Sequence, residues 1–183
     1  MPTPVDARTA RKMLADLTVE VDSNVPEYKR SEFKHWITVT ITNLIYPVVL
    51  RRDGTNVQTD PKTCKPISGT WVSPYDNVKT NSASSLDIDH IVPLKEAWVS
   101  GARKWDDARR KEFANDLTQP QLVAVTNRLN RSKGDRDVTG FLPPLQSYVC
   151  TYVRAWVQVK HSYGLGIDKA EKVTLERELA KCR

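Results

Sequence analysis

The stretch Leu86-Asp87-Ile88-Asp89-His90-Ile91-Val92-Pro93-Leu94 decides the reading of this chain, together with Leu122-Val123-Ala124-Val125-Thr126-Asn127-Arg128-Leu129-Asn130-Arg131-Ser132-Lys133-Gly134-Asp135. The first stretch alternates apolar and polar residues as a short strand does, and Pro93, which cannot donate to a ladder, ends it. In the second, Leu122 to Val125 is a compact apolar strand. Thr126 is placed to cap a short helix over 127–133, and Gly134 stops it. The predicted order is strand, insertion, strand, helix. The first strand closes on an Asp-His pair, and the helix carries Asn127 and Asn130 on one face, three residues apart.

Those residue types suit phosphodiester hydrolysis, which needs a base to activate water and a cation to neutralise charge at phosphorus and the leaving oxygen. A neutral imidazole serves as the base. A carboxylate and an amide carbonyl hold a hard cation such as Mg²⁺ and leave positions for water and phosphate. Asp89 and His90 are adjacent, so a regular strand points them to opposite faces. For both to serve one site the strand must end, twist or bulge around His90. Asp87 shares the face of Asp89 and could assist or replace it, one pleat further from His90. Alone, the Asp-x-Asp-His quartet reads as an ion-paired strand end; the two segments together are far more specific.

Working outward, Asp6 caps a helix with Ala10, Met13, Leu14 and Leu17 on one face, behind a tail of residues 1–7. Residues 22–32 read as a polar connector, and Trp36 to Leu50, rich in Thr, Val and Ile, as one or two strands. Residues 55–85 read as irregular loop with short strands. Helices near 94–100 and 105–116, separated by Gly101, form the insertion. Val149, Val153, Trp156 and Val157 mark a helix towards Tyr163, and Asp168 with Glu171 resembles a capping box opening a last helix. The expected class is α+β, a single domain over 1–183 with its motif core at about 86–136.

Length and composition bound the function. The 183 residues are 39% hydrophobic and 27% charged, with no apolar run near the roughly 20 residues that span a bilayer, so no membrane partner is expected. Lys plus Arg is 28 against 22 Asp plus Glu, giving +6, which favours a polyanionic partner. Only three cysteines and three histidines occur, without C-x-x-C, so a Cys/His structural zinc site is close to excluded by ligand count. P-loop, nucleophile-elbow and zincin motifs are absent. Cys150 and Cys182 are 32 positions apart. If bridged, they would stabilise the fold by about 3–4 kcal/mol; three reduced thiols are the alternative, and the count leaves this open. Met1-Pro2-Thr3-Pro4 is not a basic-then-apolar leader, so the expectation is either an intracellular protein or one whose leader is absent from this chain.

Arg128, Arg131, Lys133 and Arg136 surround Asn130 and would draw phosphate to that helix. Arg103, Lys104, Arg109, Arg110 and Lys111 are interleaved with acids and read as a solvated helix face. His35 and His161 read as surface or packing residues, and Trp98, Trp105 and Trp156 as core.

The two segments resemble the HNH, or ββα-metal, nucleases. They look closest to the branch that includes the C-terminal domain of the GmrSD restriction endonucleases and many small secreted proteins. Ser68 to Asp76, Glu96-Ala97-Trp98, Phe113 to Leu117, Pro120-Gln121-Leu122, Cys150 to Lys160 and Ala170-Glu171-Lys172 extend the likeness over roughly 8–182. The resemblance implies a ββα-metal core with a helical insertion between its strands and flanking helices. It implies His90 as general base, Asp89 and Asn130 as ligands of Mg²⁺ (or Mn²⁺), and Asn127 as a residue hydrogen-bonding the motif. The expected activity is a metal-dependent endonuclease with little sequence preference, a monomer acting on nucleic acid, DNA before RNA. The rival is a nucleic-acid-binding or interaction module that keeps the scaffold without turnover. A Cys150–Cys182 bridge is consistent with the family pattern and suggests an oxidising, extracellular compartment, with the cytoplasm as the alternative. Relatives commonly carry a Cys-Asn-Thr-Arg-like stretch where this chain has Asn43-Leu44-Ile45-Tyr46. Cys64 is therefore left without its expected partner, and Tyr46 replaces an arginine that could brace the site.

Overall fold

A computed structural model describes residues 1–34 and 45–183, with backbone alone at 38–39 and 42–43. In chain order the elements are α1 (Ala7–Asp16), β1 (Thr38–Val39), β2 (Thr42–Asn43), α2 (Ile45–Asp53), β3 (Gly54–Thr59), β4 (Pro66–Val72), β5 (Lys79–Thr80), β6 (Leu86–His90), α3 (Leu94–Val99), α4 (Asp107–Ala114), β7 (Leu122–Thr126), α5 (Asn127–Lys133), α6 (Gln146–Tyr163) and α7 (Lys169–Ala180). Helix and sheet are mixed in one domain. The strand, helical insertion, strand and helix expected from the motif segments follow in that order. His35 and Trp36 lie outside the described residues.

β6 and β7 pair antiparallel, with Asp87 opposite Val125 and Asp89 opposite Val123. Successive side chains alternate faces, so Asp87, Asp89, Val123 and Val125 share one face and Leu86, Ile88, Leu122 and Ala124 the other. Against the second face packs α2, through Ile45, Val49 and Leu50, with Trp71 beside them. Here the sequence expectation of a strand through Leu50 fails. The β-branched run suggested extension, but burial of Ile45, Val49 and Leu50 at helical spacing prevails over propensity, and Arg51 and Arg52 suit a helix C-terminus. The end of α2 also completes the outer edge of β7. Asp53 Oδ2 accepts from Ala124 N–H at 3.0 Å, and Arg52 Nη2 donates to Leu122 O at 2.5 Å. Side chains thus satisfy backbone groups that a third strand would have taken.

The larger core gathers α1, α3, α4, α6 and α7 around Trp98, Phe113, Tyr152 and Trp156. Cys150 and Cys182 are disulfide-bonded and tie α6 to the end of α7; Cys64 is free and exposed. Asp168 caps α7 by accepting from Glu171 N–H at 2.7 Å, but the Glu171 carboxylate does not return the bond. It is buried instead, holding Lys160 Nζ at 2.7 Å. Residues 1–7, expected as a tail, are packed: Pro4 and Ala7 are buried, and Val5 N–H donates to Gln158 Oε1 at 2.8 Å. Residues 54–80 form the antiparallel sheet β3-β4-β5 where mostly loop was expected. Within the predicted solvated face of α4, Arg110 is buried and donates to Glu32 O at 3.1 Å. Among the described residues no helix is long and apolar enough to cross a membrane.

Candidate functional site

α5 lies on the carboxylate face of β6, and its helical spacing matches the strand's. Asn130 and Lys133, three residues apart, meet Asp87 and Asp89, two residues apart. Asn130 Nδ2 donates to Asp87 Oδ2 at 3.0 Å, and Lys133 Nζ lies 2.7 Å from Asp89 Oδ2. The boundaries of α5 are those expected. Gly134 ends it with φ of +55°, a conformation that favours glycine. Thr126 does not cap it with its side chain; the hydroxyl donates to Asp76 Oδ2 at 2.9 Å instead. Asn127 ties the start of α5 to the turn before β6, Nδ2 donating to Ser84 O at 3.1 Å. Tyr46 braces the same turn by donating to Ala83 O at 3.1 Å.

Asp89 is buried, and two donors meet on its Oδ2: Lys133, and the Tyr75 hydroxyl at 2.5 Å. Burial pushes the Asp89 carboxyl up, with Lys133 and Tyr75 working against that rise. Burial likewise pushes the Lys133 ammonium down and the Tyr75 phenol well up. Both bonds to Asp89 leave its Oδ1 unengaged by a hydrogen bond among the described residues. Lys133 also donates to the carbonyls of His90 and Ile91. Consecutive carbonyls of a regular strand point in opposite directions, so two converging on one ammonium mark where the strand stops. The chain bends at 91–92, and the buried Gln121 amide takes over the ladder by pairing with both Val92 N–H and Val92 O. This strand end resolves the tension between the adjacent Asp89 and His90: both line one cleft.

His90 is buried, with Nε2 2.9 Å from Ala114 O at the end of α4. A carbonyl only accepts, so Nε2 carries a hydrogen in this contact. The helical insertion therefore holds the imidazole in position.

The shared cleft has a volume of about 220 Å³ and is lined by Arg30, Asp89, His90, Asn130, Arg131 and Asp135 among others. Of the four cations expected to bind phosphate, Arg131 lines it. Arg128 does not line it; it is exposed and sits 3.5 Å from Asp76. Two expectations are corrected. Lys133 is fully buried, its donors spent on Asp89 and two carbonyls, so phosphate does not reach it. Arg136 is turned back to cap α5, donating to Lys133 O at 3.1 Å and Gly140 O at 3.0 Å as well as to Ser132 O. Sequence reasoning missed Tyr75, Arg30 and Asp135. Tyr75 stood inside a quoted motif without a role, and Arg30 lay in an apparently featureless connector.

The donor set fits a hard divalent cation and fits zinc poorly. Asp87 holds the amide nitrogen of Asn130, which leaves the carbonyl oxygen of the same planar amide directed away from Asp87. That oxygen and Asp89 Oδ1 are the protein's candidate donors. Two oxygens with the remaining positions left to water and phosphate suit Mg²⁺, which keeps several waters. Among the described residues no cluster of three or more His, Cys, Asp or Glu side chains is poised to hold a metal.

The family described as GmrSD restriction endonucleases, C-terminal domain, matches residues 49–177, a span that includes both motif segments and the cleft-lining Asp89, His90 and Asn130. The chain belongs to this family. Membership in the GmrSD C-terminal domain family supports a nuclease-related role. A protein of Arthroderma benhamiae named "Uncharacterized secreted protein" is 48% identical over 185 residues, covering 100% of this chain and 90% of the relative. The relative's name and the disulfide of this GmrSD-family chain are both consistent with an extracellular location. No solved structure matches the chain.

Proposed function

We propose that the protein is a metal-dependent endonuclease of the HNH type, hydrolysing the phosphodiester backbone of nucleic acid, DNA in the first instance, with little sequence preference. The observation that carries this reading is the meeting of Asp89, His90 and Asn130 in one cleft with Arg131, in a chain of the GmrSD C-terminal domain family. His90, held in place by Ala114 O, is the general base that takes a proton from the attacking water. Asp89 and Asn130 would hold Mg²⁺ or Mn²⁺; when bound, the ion supplies positive charge for the scissile phosphate and leaving oxygen. Tyr75 and Lys133 orient Asp89, and Asp87 orients Asn130, so each proposed ligand has its own hydrogen-bonded support. Arg128 and Arg131 attract the backbone without reading bases, which predicts cleavage that weakens as salt rises. The disulfide suits work in an oxidising extracellular medium.

One observation favours a second reading. Lys133 already places a positive charge 2.7 Å from Asp89 Oδ2, as a scaffold that binds nucleic acid without turnover could use it. Supercoiled plasmid incubated with the protein separates the two. Nicked product with Mg²⁺ or Mn²⁺ that disappears in EDTA supports the nuclease; retained binding with no cutting under any divalent metal supports the binding module.

A further inference from the structure

The cleft is also lined by Arg30, in the short 3₁₀ turn Arg30–Glu32. Its guanidinium makes no hydrogen bond or ion pair among the described residues, and the residue is exposed. The segment that carries it is nevertheless fastened. Trp98 Nε1 donates to Pro26 O at 2.8 Å, and Arg110 Nε to Glu32 O at 3.1 Å. Tyr28 and Phe33 pack on Trp98, their ring centroids 6.2 and 6.3 Å from it, and Phe33 packs on Phe113 at 6.1 Å. Phe113 precedes Ala114, whose carbonyl holds His90. Neighbouring residues of α4 thus set the imidazole and the strap bearing Arg30 in one frame.

Charge shows what that placement does. The cleft is lined by two arginines, Arg30 and Arg131, and two carboxylates, Asp89 and Asp135. Lys133 behind Asp89 offsets that carboxylate, leaving the lining with one positive charge in excess. Removing Arg30 brings the metal-free lining to neutrality, so in the absence of a divalent cation Arg30 supplies the excess that attracts an anion. A planar fork of N–H donors on an anchored strap, with no carboxylate partner among the described residues, suits the oxygens of a phosphodiester.

We propose that Arg30 is a substrate-binding residue, its guanidinium engaging a backbone phosphate in the cleft that Arg131 also lines. The inference rests on the nucleic-acid reading above. The test compares wild type, Arg30→Ala and Arg30→Lys in two arms. One is binding of a fluorescent DNA oligonucleotide in EDTA across a salt series; the other is plasmid cleavage in Mg²⁺. Arg30→Ala should weaken binding roughly tenfold or more and flatten the slope of log K against log salt by about 0.7–0.9. It should raise KM more than it lowers kcat, with Arg30→Lys recovering the salt slope and part of the affinity. Because Arg30 is exposed, both variants should melt as wild type does. Arg30→Ala with wild-type affinity and salt slope overturns the role of Arg30 and leaves the nuclease reading standing. Wild type that binds without cutting in any metal overturns the nuclease reading and leaves Arg30 to the binding arm. Wild type that does not bind overturns both.

Discussion

Replacing Lys133 by Met removes an ammonium from the interior while keeping a flexible side chain of similar reach. Asp89 Oδ2 loses a partner at 2.7 Å, and the carbonyls of His90 and Ile91 lose a donor. Removing one member of a buried ion pair costs about 3–5 kcal/mol, because the other charge stays buried. Two things moderate the loss here. Tyr75 still donates to Asp89, and a carboxyl that burial already pushes up can take a proton. The expected destabilisation is therefore about 3 kcal/mol at neutral pH, from the low end of that range. For a domain of 183 residues this lowers Tm by roughly 6–12 °C. Urea unfolding followed by Trp fluorescence measures it. Asp89→Asn in the Lys133→Met background should recover part of the loss, since no carboxylate is then stranded. A Lys133→Met variant within about 1 kcal/mol of wild type, or additive single and double variants, would refute the view that Lys133 holds Asp89 in place.

Two further outcomes follow from the rest of the fold. Burial and the neighbouring Glu96 push the Glu171 carboxyl up to about 7, and burial, again with Glu96 nearby, pushes Asp22 up to about 6. Groups raised in the folded state bind protons more tightly than in the unfolded chain, so their contribution is full below about pH 4 and is lost as pH rises through about 6 to 7. The unfolding free energy should fall from about pH 5 to pH 8, by at most ~3 kcal/mol for Glu171, and Glu171→Gln should flatten that slope. Below about pH 4 the trend reverses as Asp53 and Asp116 take protons, since hydrogen bonds outweigh burial and hold both carboxyls low in the fold. Reducing the Cys150–Cys182 bridge, which spans 32 positions, should cost about 3–4 kcal/mol, read as a lower urea midpoint in dithiothreitol.

Much of the site was legible because its signals are local. Pro93, Gly134 and the apolar run 122–125 set the ends of β6, α5 and β7 within a few residues, and the parity of Asp87 and Asp89 followed from the pleat. What escaped depended on distant partners. The run Ile45 to Leu50 became helical because its buried face packs on the β6–β7 pair, which no window of sequence contains. Lys133 read as one of the cations that would draw phosphate to the helix, and only the register of α5 on β6 places its ammonium against Asp89, 44 positions away. Arg30 reached the cleft through Trp98, expected as core, and Phe33, which was overlooked; neither carries a sequence mark tying it to a site. Cys150 and Cys182 could be paired only through the family resemblance, and the bridge is present.

Cleavage of supercoiled plasmid by wild type and His90→Ala, with Mn²⁺ affinity measured on both, addresses the account at its centre. The proposed chemistry predicts metal-dependent nicking by wild type, loss of at least about a hundredfold in His90→Ala, and little change in Mn²⁺ affinity, because the imidazole moves the proton while Asp89 and Asn130 hold the ion. Nicking by His90→Ala at the wild-type rate would contradict it.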